Sequence, residues 1–196
     1  MYGHMEVAKW LYSLDPENID IHNGDEYAFR WACINGHLDV AKWLYSLDPE
    51  NTNIHAEVQD AFKYSCANGH LKVAKWLYSL DPENTNIHAK DQDAFRWSCA
   101  NGNLKVAKWL YSLDPRNTNI HLKDENVLWW TCANRHLEVA KWLIRIGAKP
   151  SEKHPLYSYY SNHEKSKDKF LKYLNKKTYS KTDREQIIFL IVRKYI

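Results

Sequence analysis

The chain has 196 residues, 14% of them aromatic, and its 27 Lys and Arg against 24 Asp and Glu give a formal charge of +3. Its longest apolar run, Ile187 to Val192, is far shorter than the roughly 20 residues that cross a bilayer, and the N-terminus lacks the charged-then-apolar pattern of a secretory leader. Membrane and secreted classes are thereby set aside in favour of a soluble intracellular protein. The charge is divided unevenly, at 12 basic against 5 acidic residues from Lys149 onward and 15 against 19 before it.

Trp10, Trp43, Trp76, Trp109 and Trp142 recur every 33 residues, each within Val-Ala-Lys-Trp-Leu. Such strict recurrence predicts a stack of copies of one supersecondary unit, whose function lies on a presented surface rather than in a pocket. Taken in order, residues 1–24 form a half repeat, because Gly3-His4-Met5 aligns with Gly36-His37-Leu38 and no first helix precedes it. Full repeats follow over 25–57, 58–90, 91–123 and 124–150. Within 58–90, Asp60 to Gly69 begins with a capping residue and ends on a glycine, which predicts a short helix. His70 to Leu80 follows at once, with Leu71, Ala74, Leu77 and Tyr78 making an apolar stripe on a second helix. Asp81-Pro82-Glu83-Asn84 stops that helix, and Thr85 to Asp91 reads as an extended connection.

Beyond residue 150, His154-Pro155-Leu156-Tyr157 looks like a new helix start and Lys169 to Leu174 like a worn second helix. Thr182 to Glu185 is a capping box ahead of the apolar Gln186 to Val192. Residues 151–196 are therefore read as a degenerate repeat and helical C-terminal cap, continuous with the rest in one domain.

A 33-residue unit of two short antiparallel helices, an Asn-Gly-His turn between them and Val-Ala-x-x-Leu in the second, resembles the ankyrin repeat over residues 1 to about 150. The departures are specific. Tyr27-Ala28-Phe29-Arg30, Asp60-Ala61-Phe62-Lys63, Asp93-Ala94-Phe95-Arg96 and Asn126-Val127-Leu128-Trp129 stand where that family has Thr-Pro-Leu-His, and its Gly-Ala reappears only at Gly147-Ala148. The wording of the repeats is similar to the diverged ankyrin arrays encoded by giant amoeba-infecting DNA viruses. The resemblance implies an all-α ankyrin-repeat solenoid of stacked helix-turn-helix units with short hairpin-like loops. It further implies a non-catalytic interaction module that binds another protein through a concave face built from first helices and hairpin tips.

Several constellations test that reading. Cys33, Cys66, Cys99 and Cys132 follow the period, and helices stacked roughly 8–10 Å apart hold such residues beyond the about 7 Å that a disulfide tolerates. They are expected to be reduced and buried, as suits the cytoplasm, or a host cell's cytoplasm if the viral likeness holds. His37, His70 and His136 in the turn and His22, His55, His88 and His121 in the connection also follow the period, and Asn103 replaces one of them, which favours turn capping over metal binding. Two aromatic ladders, Trp31, Tyr64, Trp97 and Trp130 on first helices and Tyr12, Tyr45, Tyr78 and Tyr111 on second helices, are read as filler between repeats. Asp60 with Lys63 and Asp93 with Arg96 are read as local ion pairs at helix starts.

No cofactor, metal or catalytic residue is expected. Because specificity needs side chains that vary between copies, the hairpin-tip residues Glu26, Tyr27, Gln59, Asp60, Gln92, Asp93, Glu125 and Asn126 are the candidate partner-binding set. The acidic array argues against nucleic acid. A monomer is expected, with weak self-association possible through the uncapped N-terminal half repeat. Two alternatives use the other end: anion or nucleic-acid binding by the basic C-terminal cap, or a structural, oligomer-forming role for the apolar C-terminal helix.

Overall fold

A computed structural model describes residues 3–120 and 127–148. The expected C-terminal cap, together with Glu125 and Asn126, lies outside them. The chain divides into two compact units, Met1–Thr118 and Asn119–Ile196. All regular structure among the described residues is helical.

The first unit holds α1 (Gly3–Leu14), α2 (Asn23–Ile34), α3 (Leu38–Leu47), α4 (Ala56–Ala67), α5 (Leu71–Leu80), α6 (Ala89–Ala100) and α7 (Leu104–Leu113). The second holds α8 (Val127–Ala133) and α9 (Leu137–Arg145), which pack on each other. In the first unit α2 pairs with α3, α4 with α5 and α6 with α7, while the first helices α2, α4 and α6 stack in sequence. Phe29, Phe62 and Phe95 with Cys33, Cys66 and Cys99 fill the space under the first helices, and Val73-Ala74-Leu77 and Val106-Ala107-Leu110 form the buried stripe of the second helices.

Each second helix ends as its sequence dictates. Asp81 accepts the Asn84 backbone N–H at 3.2 Å and both of its oxygens bond Asn84 Nδ2, while Thr85 Oγ1 donates to the Asp81 carbonyl at 2.6 Å. Pro82 cannot extend the helix. Asp48 and Asp114 make the equivalent turns with Asn51 and Asn117.

The first helices begin earlier than expected, and differently. Gly24, Asp25 and Glu26 all have left-handed backbones, with φ of 66°, 53° and 64°, and Glu57, Gln59, Lys90 and Gln92 repeat this at φ between 48° and 66°. Left-handed non-glycine residues cost about 1–3 kcal/mol each unless their surroundings hold them. Here the next loop does so: Glu26 Oε1 accepts the Asn53 N–H at 3.0 Å, Gln59 Nε2 donates to the Asn84 carbonyl at 3.0 Å, and Gln92 Nε2 to the Asn117 carbonyl at 3.3 Å.

The turn between the helices of a pair is also a joint between pairs. The Ile34 carbonyl, left open at the end of α2, accepts from Asn68 Nδ2 at 2.9 Å and from the His70 ring; one period on, the Ala67 carbonyl accepts from Asn101 at 2.9 Å and Asn103 at 2.7 Å. Asn103 thus does with its amide what His70 does with its ring, and that is why the sequence tolerates the exchange. Gly69, at φ 83°, lies so close that a Cβ there would meet Asn103 Oδ1 at 2.5 Å. In the second unit the same turn position is Arg135, also left-handed at φ 63°.

Candidate functional site

Three of the expected site residues are drawn into the scaffold. Glu26 is 5% exposed and bonded to the His22 ring at 2.8 Å as well as to Asn53, and Gln92 is 7% exposed, with Gln59 similarly engaged. The left-handed turn rotates these side chains toward the following loop, so they do not stand out from the tip as expected. Asp60 and Asp93 are half-buried, in ion pairs to Lys63 at 2.7 Å and Arg96 at 3.4 Å, as the i, i+3 spacing predicted. Burial works to lower the Lys63 pKa, and the hydrogen bond and charge of Asp60 outweigh it, so the ammonium is held above its usual range. Tyr27 alone of the described set is presented, its ring 6.0 Å from that of Trp31.

The two aromatic ladders part company. On the second helices the rings interlock: Tyr12 meets Trp43, Tyr45 meets Trp76 and Tyr78 meets Trp109 edge to face at 5.8–5.9 Å, with Phe29 and Phe62 adding to Trp76 and Trp109 at 6.1 and 6.2 Å. Those are filler between repeats. The first-helix ladder is not. Trp31, Tyr64 and Trp97 remain 52%, 40% and 49% exposed, because they follow the buried Phe by two residues and so point away from the second helices. In the second unit Trp130, at the equivalent position, is also exposed.

In the first unit each exposed ring of this ladder is preceded in sequence by a cation, Arg30, Lys63 and Arg96. Lys63 Nζ lies 4.3 Å from the centre of the Tyr64 ring. Lys63 and Arg96 have carboxylate partners three residues back, whereas Tyr27 occupies that place for Arg30. The buried Nε of Arg30 has no hydrogen-bond partner, and Glu26, four residues before it, is committed to His22 and Asn53. Charge periodicity alone could have revealed Arg30, since Asp60 and Asp93 align with Tyr27.

A third recurrent feature ties loops together. His22, His55 and His88 place Nε2 3.3, 3.1 and 3.1 Å from Asp48, Asp81 and Asp114. The hydrogen bonds from Asn51, Asn84 and Asn117, followed by other contacts, hold these carboxyls below the usual carboxylate range. The Glu26 hydrogen bond raises the His22 pKa. The histidines are thus spent on carboxylates, and no group of three or more His, Cys, Asp or Glu suited to a metal occurs among the described residues. All four cysteines are free thiols, and burial pushes Cys33 and Cys132 up to about 12 and raises Cys66 and Cys99 as well.

Stacked antiparallel helix pairs, a 33-residue period and a turn shared between neighbours define an all-α repeat protein, with large aromatics exposed on its first helices. A family model described as ankyrin repeats, in three copies, matches residues 1–91 and again residues 62–154. The chain belongs to the ankyrin-repeat family. No curated protein matches it. Ankyrin repeats generally serve as protein–protein interaction modules, and no helix among the described residues is long and apolar enough to cross a membrane.

Proposed function

We propose that this chain is a non-catalytic adaptor that binds another protein along the exposed face of α2, α4 and α6. The observation that carries the reading is the contrast at one period: Trp31, Tyr64 and Trp97 stay half-exposed in three successive repeats without a ring from the next repeat against them among the described residues, while the second-helix rings are partly covered and locked edge to face. Large aromatics held on a rigid scaffold make binding hot spots, because they offer area at little entropic cost. The tip residues Tyr27, Asp60 and Asp93 lie within one helical turn of these rings in sequence, and Glu26, Gln59 and Gln92 tie the starts of the same helices to the following loops.

Joint replacement of Trp31, Tyr64 and Trp97 by Ala is expected to abolish capture of the natural partner with the melting temperature nearly unchanged. If capture survives that change and is lost on replacing Lys172, Lys176 and Lys177, the basic C-terminal region is the working surface and the reading is wrong.

The adaptor works in a reducing compartment, a placement supported by four free thiols on a scaffold that needs no disulfide. Thiol labelling of the native protein should be slow at Cys33, Cys66 and Cys99; fast modification of all three would contradict their burial. It is proposed to be a monomer when dilute, with weak self-association through Val7, Trp10, Leu11 and Leu14, an exposed stripe at helical spacing on α1. Sedimentation of wild type against Trp10→Asp tests this.

A further inference from the structure

Resting on the reading of this face as the binding surface, we propose that its ligand is a proline-rich segment in the polyproline II conformation, carrying an acidic residue that docks at Arg30. The spacing is the first argument. Neighbouring first helices bond to one another through Asn68 to Ile34 and Asn101 to Ala67, so Trp31, Tyr64 and Trp97 are one packed-helix separation apart, roughly 8–10 Å. A polyproline II helix has three residues per turn and advances about 9.3 Å per turn, so every third residue meets a ring. A β-strand repeats its facing side chains about every 6.6 Å and drifts out of register with the ladder.

The rings also stand apart from one another. No ring contact joins Trp31 to Tyr64 or Tyr64 to Trp97 among the described residues, and exposed aromatics set singly along a face are what pyrrolidine rings pack against in aromatic-lined surfaces that take proline-rich ligands. The third argument is Arg30. Its buried Nε lacks an acceptor, and no ion pair neutralises its guanidinium among the described residues, while Lys63 and Arg96 have Asp60 and Asp93. An α-helical ligand would bring carbonyls already bonded within itself. A polyproline II segment leaves every carbonyl free to accept, and a carboxylate on it would supply the charge that Tyr27 withholds from Arg30.

The test is fluorescence polarisation of a labelled peptide with two glutamates followed by a proline run long enough to span three repeats, about nine residues at 3.1 Å each. A Kd on the order of 10–100 µM is expected. Trp31→Ala and Trp97→Ala should each weaken it about fivefold or more at unchanged melting temperature. Arg30→Gln should weaken the glutamate peptide and leave a glutamine-headed peptide untouched, a selectivity that simple misfolding would not produce. The inference is overturned if a glycine-serine peptide with the same two glutamates binds equally well. It is overturned too if oligo-deoxythymidine binds instead and loses affinity on the tryptophan changes, which would indicate base stacking. A random displayed-peptide library run in parallel separates this inference from the reading beneath it. Peptides that need Trp31 and Trp97 but are not proline-rich overturn only the ligand class. Selected peptides indifferent to both tryptophans overturn the binding face as well.

Discussion

Trp76 and Trp97 stand 21 residues apart in neighbouring copies of one pattern, yet they meet opposite environments. Trp76, on α5, is gripped by Tyr45 at 5.8 Å and Phe29 at 6.1 Å, whereas Trp97, on α6, is 49% exposed with no such sandwich. Periodicity records that both are repeated. It does not record which side of a helix faces the neighbour, and in a stack of pairs the first helices have one side with nothing from their own repeat to cover it. The lesson is that repeated aromatics in such an array meet two environments, edge-to-face contact between repeats on the second helices and exposure on the first.

Trp76→Ala should cost about 2–3 kcal/mol in urea unfolding, less than for a fully buried core aromatic because Trp76 is only partly covered, while Trp97→Ala should stay within about 0.5 kcal/mol. Equal losses would erase the distinction between the ladders. Trp10→Ala should resemble Trp97→Ala, because Trp10 is 58% exposed.

Gly69 and Arg135 allow the two units to be compared at one turn. Gly69→Ala combines a left-handed φ of 83° with a clash against Asn103 and should destabilise by about 1–3 kcal/mol; Arg135→Gly relieves a left-handed arginine and should stabilise by about 1 kcal/mol. Thermal melts of both variants check the signs. If Gly69→Ala proves neutral, the joint between α4 and α6 is looser than its hydrogen bonds indicate.

Next come the side chains that anchor the left-handed starts of the first helices. Gln59→Ala and Gln92→Ala should each lose about 1 kcal/mol, the net value of a hydrogen bond, rather than being silent as free tip residues would be. Silent changes at both sites would return these residues to the exposed tip.

The smallest effect is on pH. Asp48, Asp81 and Asp114 have folded pKa values below their unfolded values, so their contribution is complete above the usual carboxylate range, near 4, and is lost as pH falls through it. His22 runs the other way: its raised value makes its contribution complete below about 6.5 and lost as pH rises through the folded value. Melting temperature should therefore drop between pH 5 and 3, by less in a triple Asp→Asn variant at these positions. His22→Gln should remove a slight decline between pH 6 and 8. An acid transition unchanged in the triple variant would mean that other carboxylates carry it.

Much of the scaffold was legible from residue order. The Asp-Pro-Glu-Asn turn, the second helix from Leu71 to Leu80 and the ion pairs of Asp60 and Asp93 all arise from interactions within a few residues, and local rules read them correctly. The starts of the first helices were misread, since the left-handed run at Gly24 to Glu26 is held by bonds to a loop 27 residues on. Glu26 and Gln92 looked like tip residues for the same reason.

By itself the sequence determined the period, the helix pairs and the stops between them, because these follow from propensity, patterning and the covalent limits of proline and glycine. The tertiary structure alone decided which aromatics interlock between repeats and which stay exposed, that the buried Nε of Arg30 is left without a partner, and that polar tip residues turn inward. Those outcomes depend on groups more than twenty residues apart meeting across the stack, where the competition between burial, hydrogen bonding and exposure is settled by neighbours that no local window contains.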